Sequence, residues 1–379
     1  MRCYLAGGAV RDLLLGGFPR EFDIVFDGSP DDLQRQYPYG VAKVGKQTPV
    51  YLVHGVDHMP LRGASVTDDL MARDFTMNAL LLEENGVLHM LPQTVHDLKN
   101  GIIRQVSPSA LADDPLRVFR AARFCALRPD FSIEEHTLQA MRDTAEKGLL
   151  AGIAGERVGR EFLASCAGSH PDFFFRTLAH TGCLAHWFPE MEAARHVPAG
   201  PAAYHGENSV FEHGMHVMAV VAASGLPEKD HILGVWMALC HDFGKILTQK
   251  ERLPRHIGHD ARGLELVSAL VQRLRLPSRF KKAGMLALTA HMRAGIYAIL
   301  RPGTKVDLLH TLTTSGMALP FCAMVAADSR NCALRDTILS DIDLIRSVRL
   351  PEVFRNKGES SASTLRKLRI DALVASQNR

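Results

Sequence analysis

Apolar and polar residues alternate in short runs over roughly the first 90 positions, and from Pro115 onward apolar residues recur at helical spacing almost to the end. The short runs predict strands at Arg2–Ala6, Phe22–Phe26, Val41–Lys43, Val50–His54 and Gly86–Leu91, with helices at Ala9–Leu15 and Asp69–Glu83. Proline and glycine mark breaks in the later part near Pro171, Pro198–Pro201, Pro277 and Pro302. The pattern predicts an α+β chain, with a small mixed head followed by a long all-helical body. No internal repeat or low-complexity tract interrupts it.

Length supports more than one core, since 379 residues correspond to two or three domains. An apolar fraction of 46% and a charged fraction of 22% are those of a soluble globular protein. No run approaches the uncharged apolar length of a membrane span, and Arg11 and Asp12 come too early for a signal peptide. Seven cysteines without a C-x-x-C pair suggest reduced thiols in a cytoplasmic protein. A net charge of +3 says little about partners, but its distribution says more. Arg117, Arg120, Arg123 and Arg128 fall within a segment free of acids, and residues 346–379 carry eight Lys/Arg against three Asp/Glu. Such local basic faces suit a polyanion, although a solvated helix face accounts equally well for the tail.

The stretch YLAGGAVRDLLLGGFPREFDIVF, Tyr4 to Phe26, concentrates candidate chemistry. Gly7 and Gly8 join a strand to a helix, where missing side chains let backbone N–H groups approach a phosphate. Arg11, one turn on, could offer a planar fork to phosphate oxygens. A tight turn with a surface arginine would look the same if it stood alone. In the next strand Glu21 and Asp23 are two residues apart, which places them on one face. Paired carboxylates repel unless a cation lies between them, and an all-oxygen set suits Mg²⁺ with substrate phosphates. Together these features predict metal-assisted nucleotidyl transfer, with Glu21 and Asp23 as catalytic metal ligands.

This stretch resembles the active-site signature of the nucleotidyltransferase superfamily, most closely that of the class II tRNA nucleotidyltransferases and related bacterial poly(A) polymerases. Further motifs follow in order over nearly the whole chain. ARDFTMNAL, Ala72 to Leu80, resembles R-R-D-x-T-x-N-A-L. The resemblance implies that Arg73 and Asp74 contact the nucleotide's ribose and phosphates, with Asn78 one turn further on. DDPLRVFRAARF, Asp113 to Phe124, resembles E-D-x-x-R and its arginine helix. Pro115 suits a first helical position, so Asp114 is a natural helix cap. Arg117, Arg120 and Arg123 are spaced by three along one face. In the family the aspartate and first arginine read the edge of the incoming base, which carries over to Asp114 and Arg117. Arg120 and Arg123 would then hold the triphosphate with Gly8 and Arg11. GERVGREF, Gly155 to Phe162, resembles a structural neck segment.

His213 and HDFGK, His241 to Lys245, resemble the H…HD pattern of HD-domain phosphohydrolases. The resemblance implies a second divalent metal on His213, His241 and Asp242. His256 and His259 resemble additional histidines of this domain. The family's last ligand, an aspartate on a later helix, aligns with His310, with Asp307 one turn earlier. His186, His205 and His291 are expected to be structural or surface residues.

The resemblance implies a nucleotidyltransferase head at 1–105, a helical neck or RNA-binding region at 106–200, an HD-type domain at 201–315 and a helical tail at 316–379. It implies template-independent addition of CC or CCA to tRNA 3′ ends from CTP, with Mg²⁺. Use of ATP stays open, because three features depart from the family pattern: Glu21 in place of aspartate, Ala72 in place of arginine, and a short Ala64–Arg73 link. Family members that add all of CCA carry a longer loop there, and a shortened one marks relatives that leave the final adenine to a separate A-adding enzyme. Rival readings are a poly(A) polymerase, a metal-dependent phosphohydrolase or 2′,3′-cyclic phosphodiesterase with an RNA-binding head, and a tRNA-binding protein whose head has decayed. No membrane partner is expected.

Overall fold

The computed structural model describes residues 1–19, 21–44, 50–201 and 208–377. Its contacts divide into two units, Met1–Ile153 with Thr181–Cys183, and Ala154–His180 with Leu184–Arg379.

The first unit is built on a seven-stranded sheet of order β3-β4-β5-β2-β1-β6-β7. The strands are β1 (Arg2–Ala6), β2 (Asp23–Asp27), β3 (Val41–Val44), β4 (Val50–Val53), β5 (Val56–Pro60), β6 (Leu80–Glu83) and β7 (Leu88–Met90). β2 runs parallel to β5, and every other pair is antiparallel. Helices α1 (Gly8–Leu14), α2 (Pro30–Gln36), α3 (Val66–Met71) and α4 (Thr94–Lys99) connect the strands or follow them. Strand alternation sends Tyr4, Ala6, Val25 and Leu81 to one face, where they pack with Leu70 of α3. Phe26, Tyr51 and Val53 pack with Leu33 of α2 in a second cluster. Helix α2, absent from the sequence expectation, is opened by a reciprocal cap: Asp32 N–H donates to Ser29 Oγ at 3.2 Å, and Ser29 N–H donates to Asp32 Oδ2 at 2.8 Å.

The helix expected over Asp69–Glu83 is corrected by the structure. It divides into α3, a 3₁₀ turn at Thr76–Asn78 and strand β6. Leu80 and Leu81 are fully buried between β1 and β7, and an apolar run of that length fits a central strand as well as a helix. After a two-stranded ladder of β8 (Ile102–Ile103) and β9 (Ser132–Ile133), the unit is completed by α5 (Ala110–Asp113), α6 (Leu116–Leu127) and α7 (Glu135–Glu146).

The second unit is helical: α8 (Gly155–Cys166), α9 (Pro171–His180), α10 (Pro189–Ala194), α11 (Val210–Ala222), α12 (Glu228–Cys240), α13 (His259–Arg262), α14 (Leu264–Arg273), α15 (Ser278–Gly295), α16 (Pro302–Ser315), α17 (Ala318–Asp328), α18 (Cys332–Ser347) and α19 (Glu359–Gln377). Helix α12 is buried on all sides from Leu233 to Cys240, which marks it as the central helix. Its Trp236 packs against Phe162 and Phe280 and donates its indole N–H to the Phe280 carbonyl at 2.6 Å. Arg366 of the basic tail is held by Asp307 at 2.7 Å. No helix among the described residues is long and apolar enough to cross a membrane.

Candidate functional site

In the first unit, the turn after β1 is made by Gly7, with φ of +61°. A Cβ there would be strained and would meet Arg73 Nη1 at 3.0 Å. Gly7 rather than Gly8 therefore carries the conformational demand; at Gly8 a Cβ would make an ordinary 3.5 Å contact with Arg11 Nη2.

Arg11 joins two groups. Its Nη1 donates to Asn78 Oδ1 at 2.7 Å, while Nε and Nη2 donate to Asp12 Oδ1 at 3.0 and 2.8 Å. The same Asp12 oxygen accepts from Arg128 Nη2 at 2.7 Å. Asn78 Nδ2 donates to Asp74 Oδ1 at 3.0 Å, and Arg120 donates to Asp74 Oδ2 from Nε at 2.7 Å and from Nη2 at 2.6 Å. One continuous chain, Arg128–Asp12–Arg11–Asn78–Asp74–Arg120, thus ties together three motifs that are far apart in sequence. Asp74 Oδ1 also takes the Phe75 N–H at 2.7 Å, so both of its oxygens accept twice. Burial opposes its charge, but Arg120 and these donors outweigh it and hold the carboxyl well below its ordinary value. Asp74 is therefore saturated by the protein and acts on its surroundings through Arg120 and Asn78.

Arg73 is oriented by buried Asp69, to whose Oδ2 it donates at 2.9 and 2.7 Å. Asp69 Oδ1 accepts the Arg62 N–H at 3.1 Å, which anchors the short link before α3. That link is pinned again by Ala64 N–H donating to Asp68 Oδ2 at 3.0 Å. The cap expected at Asp114 is shifted by one residue: Pro115 occupies the N-cap of α6 and Asp114 is the C-cap of α5, although Asp114 Oδ1 still takes the Leu116 N–H at 3.3 Å. Arg117 donates to the Ala72 carbonyl at 2.6 Å and the Ala110 carbonyl at 3.1 Å, and burial lowers its pKa.

The carboxylates differ from expectation in one respect. Strand β2 begins at Asp23 rather than Phe22, so strand alternation does not set the direction of Glu21, which lies in a bend. Asp23 is paired in register with Asp57 of the parallel strand β5. Its pKa is raised by burial first, then by Asp57 and Glu21, while Arg73 and Arg120 pull it back. A group of acids that strain one another beside two arginines has the donor chemistry of a hard divalent cation site. Asp57 was missed in the sequence; its only signal was an acid inside a Val-Asp-His-Met strand.

The second unit holds a separate cluster. His213 (α11), His241 (after α12) and Asp328 (α17) form one group of potential metal ligands, and Asp242, His259 (α13) and His291 (α15) form another. Asp242 bridges them. Its Oδ2 lies 3.5 Å from His213 Nε2 and 3.3 Å from His241 Nε2, and its Oδ1 lies 3.2 and 3.6 Å from Nε2 of His259 and His291. His213 Nε2 and His241 Nε2 face each other at 3.3 Å, as do those of His259 and His291 at 3.2 Å. Such pairs need a shared proton or a metal ion between them. The Nδ1 atoms of His241, His259 and His291 donate to backbone carbonyls of Ala238, His256 and Ala287, which aims each Nε2 lone pair inward. Gly244 makes the approach possible, because a Cβ would collide with the His259 carbonyl. Burial disfavours the charged form of His241, yet with no cation between them Asp242 and Asp328 raise it to about 10, so a bound ion would take the place of the Nε2 proton; His291 is pushed down to about 4, chiefly by burial. These residues fit two divalent ions held side by side.

Three expectations are corrected here. The aspartate of the later helix is Asp328, not a residue near His310: His310 is exposed, and Asp307 is engaged by Arg366. His291 is a buried member of the cluster rather than a structural histidine. His256 stays outside it, bonded to Thr248 and the Pro198 carbonyl. Asp328 also lies beyond the domain boundary expected at 315. His186 is exposed, and His205 lies outside the described residues.

Comparison with known proteins places these sites in context. Residues 3–58 match the family model "Poly A polymerase head domain", and residues 130–195 match "Probable RNA and SrmB- binding site of polymerase A". The chain is 33% identical over 414 aligned residues to the multifunctional CCA protein of Acinetobacter baumannii, covering 100% of this chain and 98% of the relative. Among solved structures it resembles the Thermotoga maritima CCA-adding enzyme complexed with tRNA, with a TM-score of 0.67, 21% identity, and coverage of 97% of this chain and 86% of that one. A CCA-adding enzyme in complex with CTP aligns with a TM-score of 0.66 and 20% identity over 98% and 87% of the two chains.

Proposed function

Because the chain belongs to the CCA-adding family of tRNA nucleotidyltransferases, we propose that its first unit performs the nucleotidyl transfer with Asp23 and Glu21 as metal-binding carboxylates. On this reading the chain is a nucleotidyltransferase whose partners are tRNA and CTP, with ATP used only where the terminal adenosine is added. The observation that carries the assignment of the site is the geometry at Asp23, which pairs in register with Asp57 of the parallel strand β5; burial first and then Asp57 and Glu21 raise its pKa, while Arg73 and Arg120 pull it back. Mg²⁺ held there would lower the pKa of the primer's 3′-hydroxyl and neutralise charge building on the triphosphate. The arginines do the rest. Arg11 and Arg120, fixed by Asp12, Asn78 and Asp74, present guanidinium groups to phosphate oxygens. Arg117 and Asp114 offer donors and acceptors to the edge of the incoming base, replacing a nucleic-acid template. The basic tail tracks the tRNA backbone by charge and shape. A cytoplasmic location follows from this role.

Two finer readings accompany this one. The Ala64–Arg73 link is short, and its start is pinned by Asp68 and Asp69 through the Ala64 and Arg62 N–H groups, which favours addition stopping after CC and a separate enzyme adding the final A. The bridged His/Asp cluster supports metal-dependent hydrolysis of phosphate esters, including 2′,3′-cyclic ends, as a second activity. A single experiment tests all three: the purified protein is incubated with tRNA lacking CCA, Mg²⁺ and each nucleotide, and the 3′ ends are sequenced. CC or CCA ends are expected from the intact protein and none from Asp23→Asn. Long A tails would instead identify a poly(A) polymerase. Opening of a 2′,3′-cyclic end to a phosphomonoester, assayed on a tRNA that carries such an end, without any nucleotide addition would leave only the hydrolase.

A further inference from the structure

We propose that Phe124 is a positioning residue for triphosphate binding, acting as the aromatic floor on which three arginines are gathered. The proposal rests on the reading of Arg11, Arg120 and Arg123 as triphosphate ligands. The guanidinium carbons of Arg123, Arg11 and Arg120 lie 4.8, 5.4 and 5.9 Å from the centre of the Phe124 ring. Two of these cations come from the helix that carries Phe124, one turn before it and beside it, while Arg11 arrives from α1, more than a hundred residues earlier. Phe124 is only 5% exposed. Its ring also meets the Phe75 ring edge-to-face at 5.8 Å, which fixes its plane against the motif that holds Asp74.

Three like charges brought to one place repel one another. Hydrogen bonds to Asp12, Asn78 and Asp74 hold Arg11 and Arg120 in direction, but the acids supply only part of the opposing charge. The electron-rich face of a desolvated ring supplies more of it without forming a bond that a phosphate would have to displace. Arg11 and Arg120 already give some N–H groups to Asp12, Asn78 and Asp74, and the ring offsets further repulsion without engaging any more of them. A floor of this kind therefore lets the cluster exist before the ligand arrives and leaves it competent to bind.

The test varies the ring's electrons and leaves its size nearly constant. Phe124 is replaced by singly, doubly and triply fluorinated phenylalanine in the full chain, and binding of CTP and of inorganic tripolyphosphate is measured, with kcat and KM for C addition. The dissociation constants for both ligands should rise stepwise with fluorination, reaching roughly two- to fivefold for each arginine contact weakened. KM should follow, with kcat changing by less than about twofold, and the ligand-free thermal midpoint should fall by roughly a few degrees as the contacts that hold the cations together weaken. Phe124→Leu should exceed the end of the series. A series flat in fluorine content overturns the proposal, as does a rise for CTP without one for tripolyphosphate, because the floor acts on phosphate binding alone. Failure of the unmodified protein to bind tripolyphosphate or CTP would be a different result, removing the triphosphate reading itself.

Discussion

Replacing Asp74 by asparagine isolates the link that joins the three motifs. All four partners of Asp74 are donors: Phe75 N–H and Asn78 Nδ2 on one oxygen, Arg120 Nε and Nη2 on the other. An amide has a single acceptor oxygen, so whichever way it turns, its NH₂ meets two donors. The variant keeps the shape of the site and loses two hydrogen bonds and one charge in a position only 6% exposed. Hydrogen bonds to charged groups are worth about 1.5–3 kcal/mol each. The Arg120 side chain is 32% exposed and can recover water, which discounts the loss. A destabilisation of about 2–3 kcal/mol follows for the first unit. The probe matters, because both tryptophans, Trp187 and Trp236, lie in the second unit and would report the wrong transition. Hydrogen exchange read on peptides spanning residues 72–80 and 117–124 reports the right one. The sign with pH is also determined. The folded-state pKa of Asp74 is depressed below 3.8, so its stabilisation is complete above that value and is lost as pH falls below it. In Asp74→Asn this acid dependence should disappear. A loss under about 0.5 kcal/mol, or no coupling in a double-mutant cycle with Arg120→Gln, would refute the claim that the pair is structurally coupled.

Asp23 carries the opposite sign: its folded pKa is raised above 3.8, so stability is lost as pH rises from 3.8 to the folded value and the full penalty persists above it. Asp23→Asn should raise the thermal midpoint of the first unit by roughly 1–3 °C while abolishing addition, and Mg²⁺ should stabilise the parent protein but not the variant, as read by differential scanning calorimetry. Gly7→Ala should cost about 1–2 kcal/mol through its positive φ and raise the KM for CTP by displacing Arg73; a melt and a Michaelis curve suffice to check it. In the second unit, Asp328→Ala should reduce bound divalent metal measured by elemental analysis, with C addition little changed. His310→Ala should leave metal content as it was, and the reverse pattern would restore the His310 alignment.

Much of the candidate site is legible along the chain, because its chemistry is local. The glycine pair, the E-x-D spacing, Arg73 to Asn78 and the arginines of α6 are each short motifs whose residue types follow from what they would bind. The helical body is legible too, since an amphipathic helix must repeat its apolar face about every 3.6 residues wherever it packs. What the chain cannot show by itself is which surfaces meet. Ala79 to Leu82 is uniformly apolar, and only insertion between β1 and β7 makes it a strand. Asp23 acquires its neighbour Asp57 through a parallel pairing that no local spacing encodes. His213 and Asp328 are 115 residues apart and come within 3.0 Å only because α11, α12 and α17 pack together. Local sequence sets the periodicity and turn geometry of each element, while a site assembled from several elements depends on the burial of apolar faces far from it, so its full membership was decided only in the folded chain.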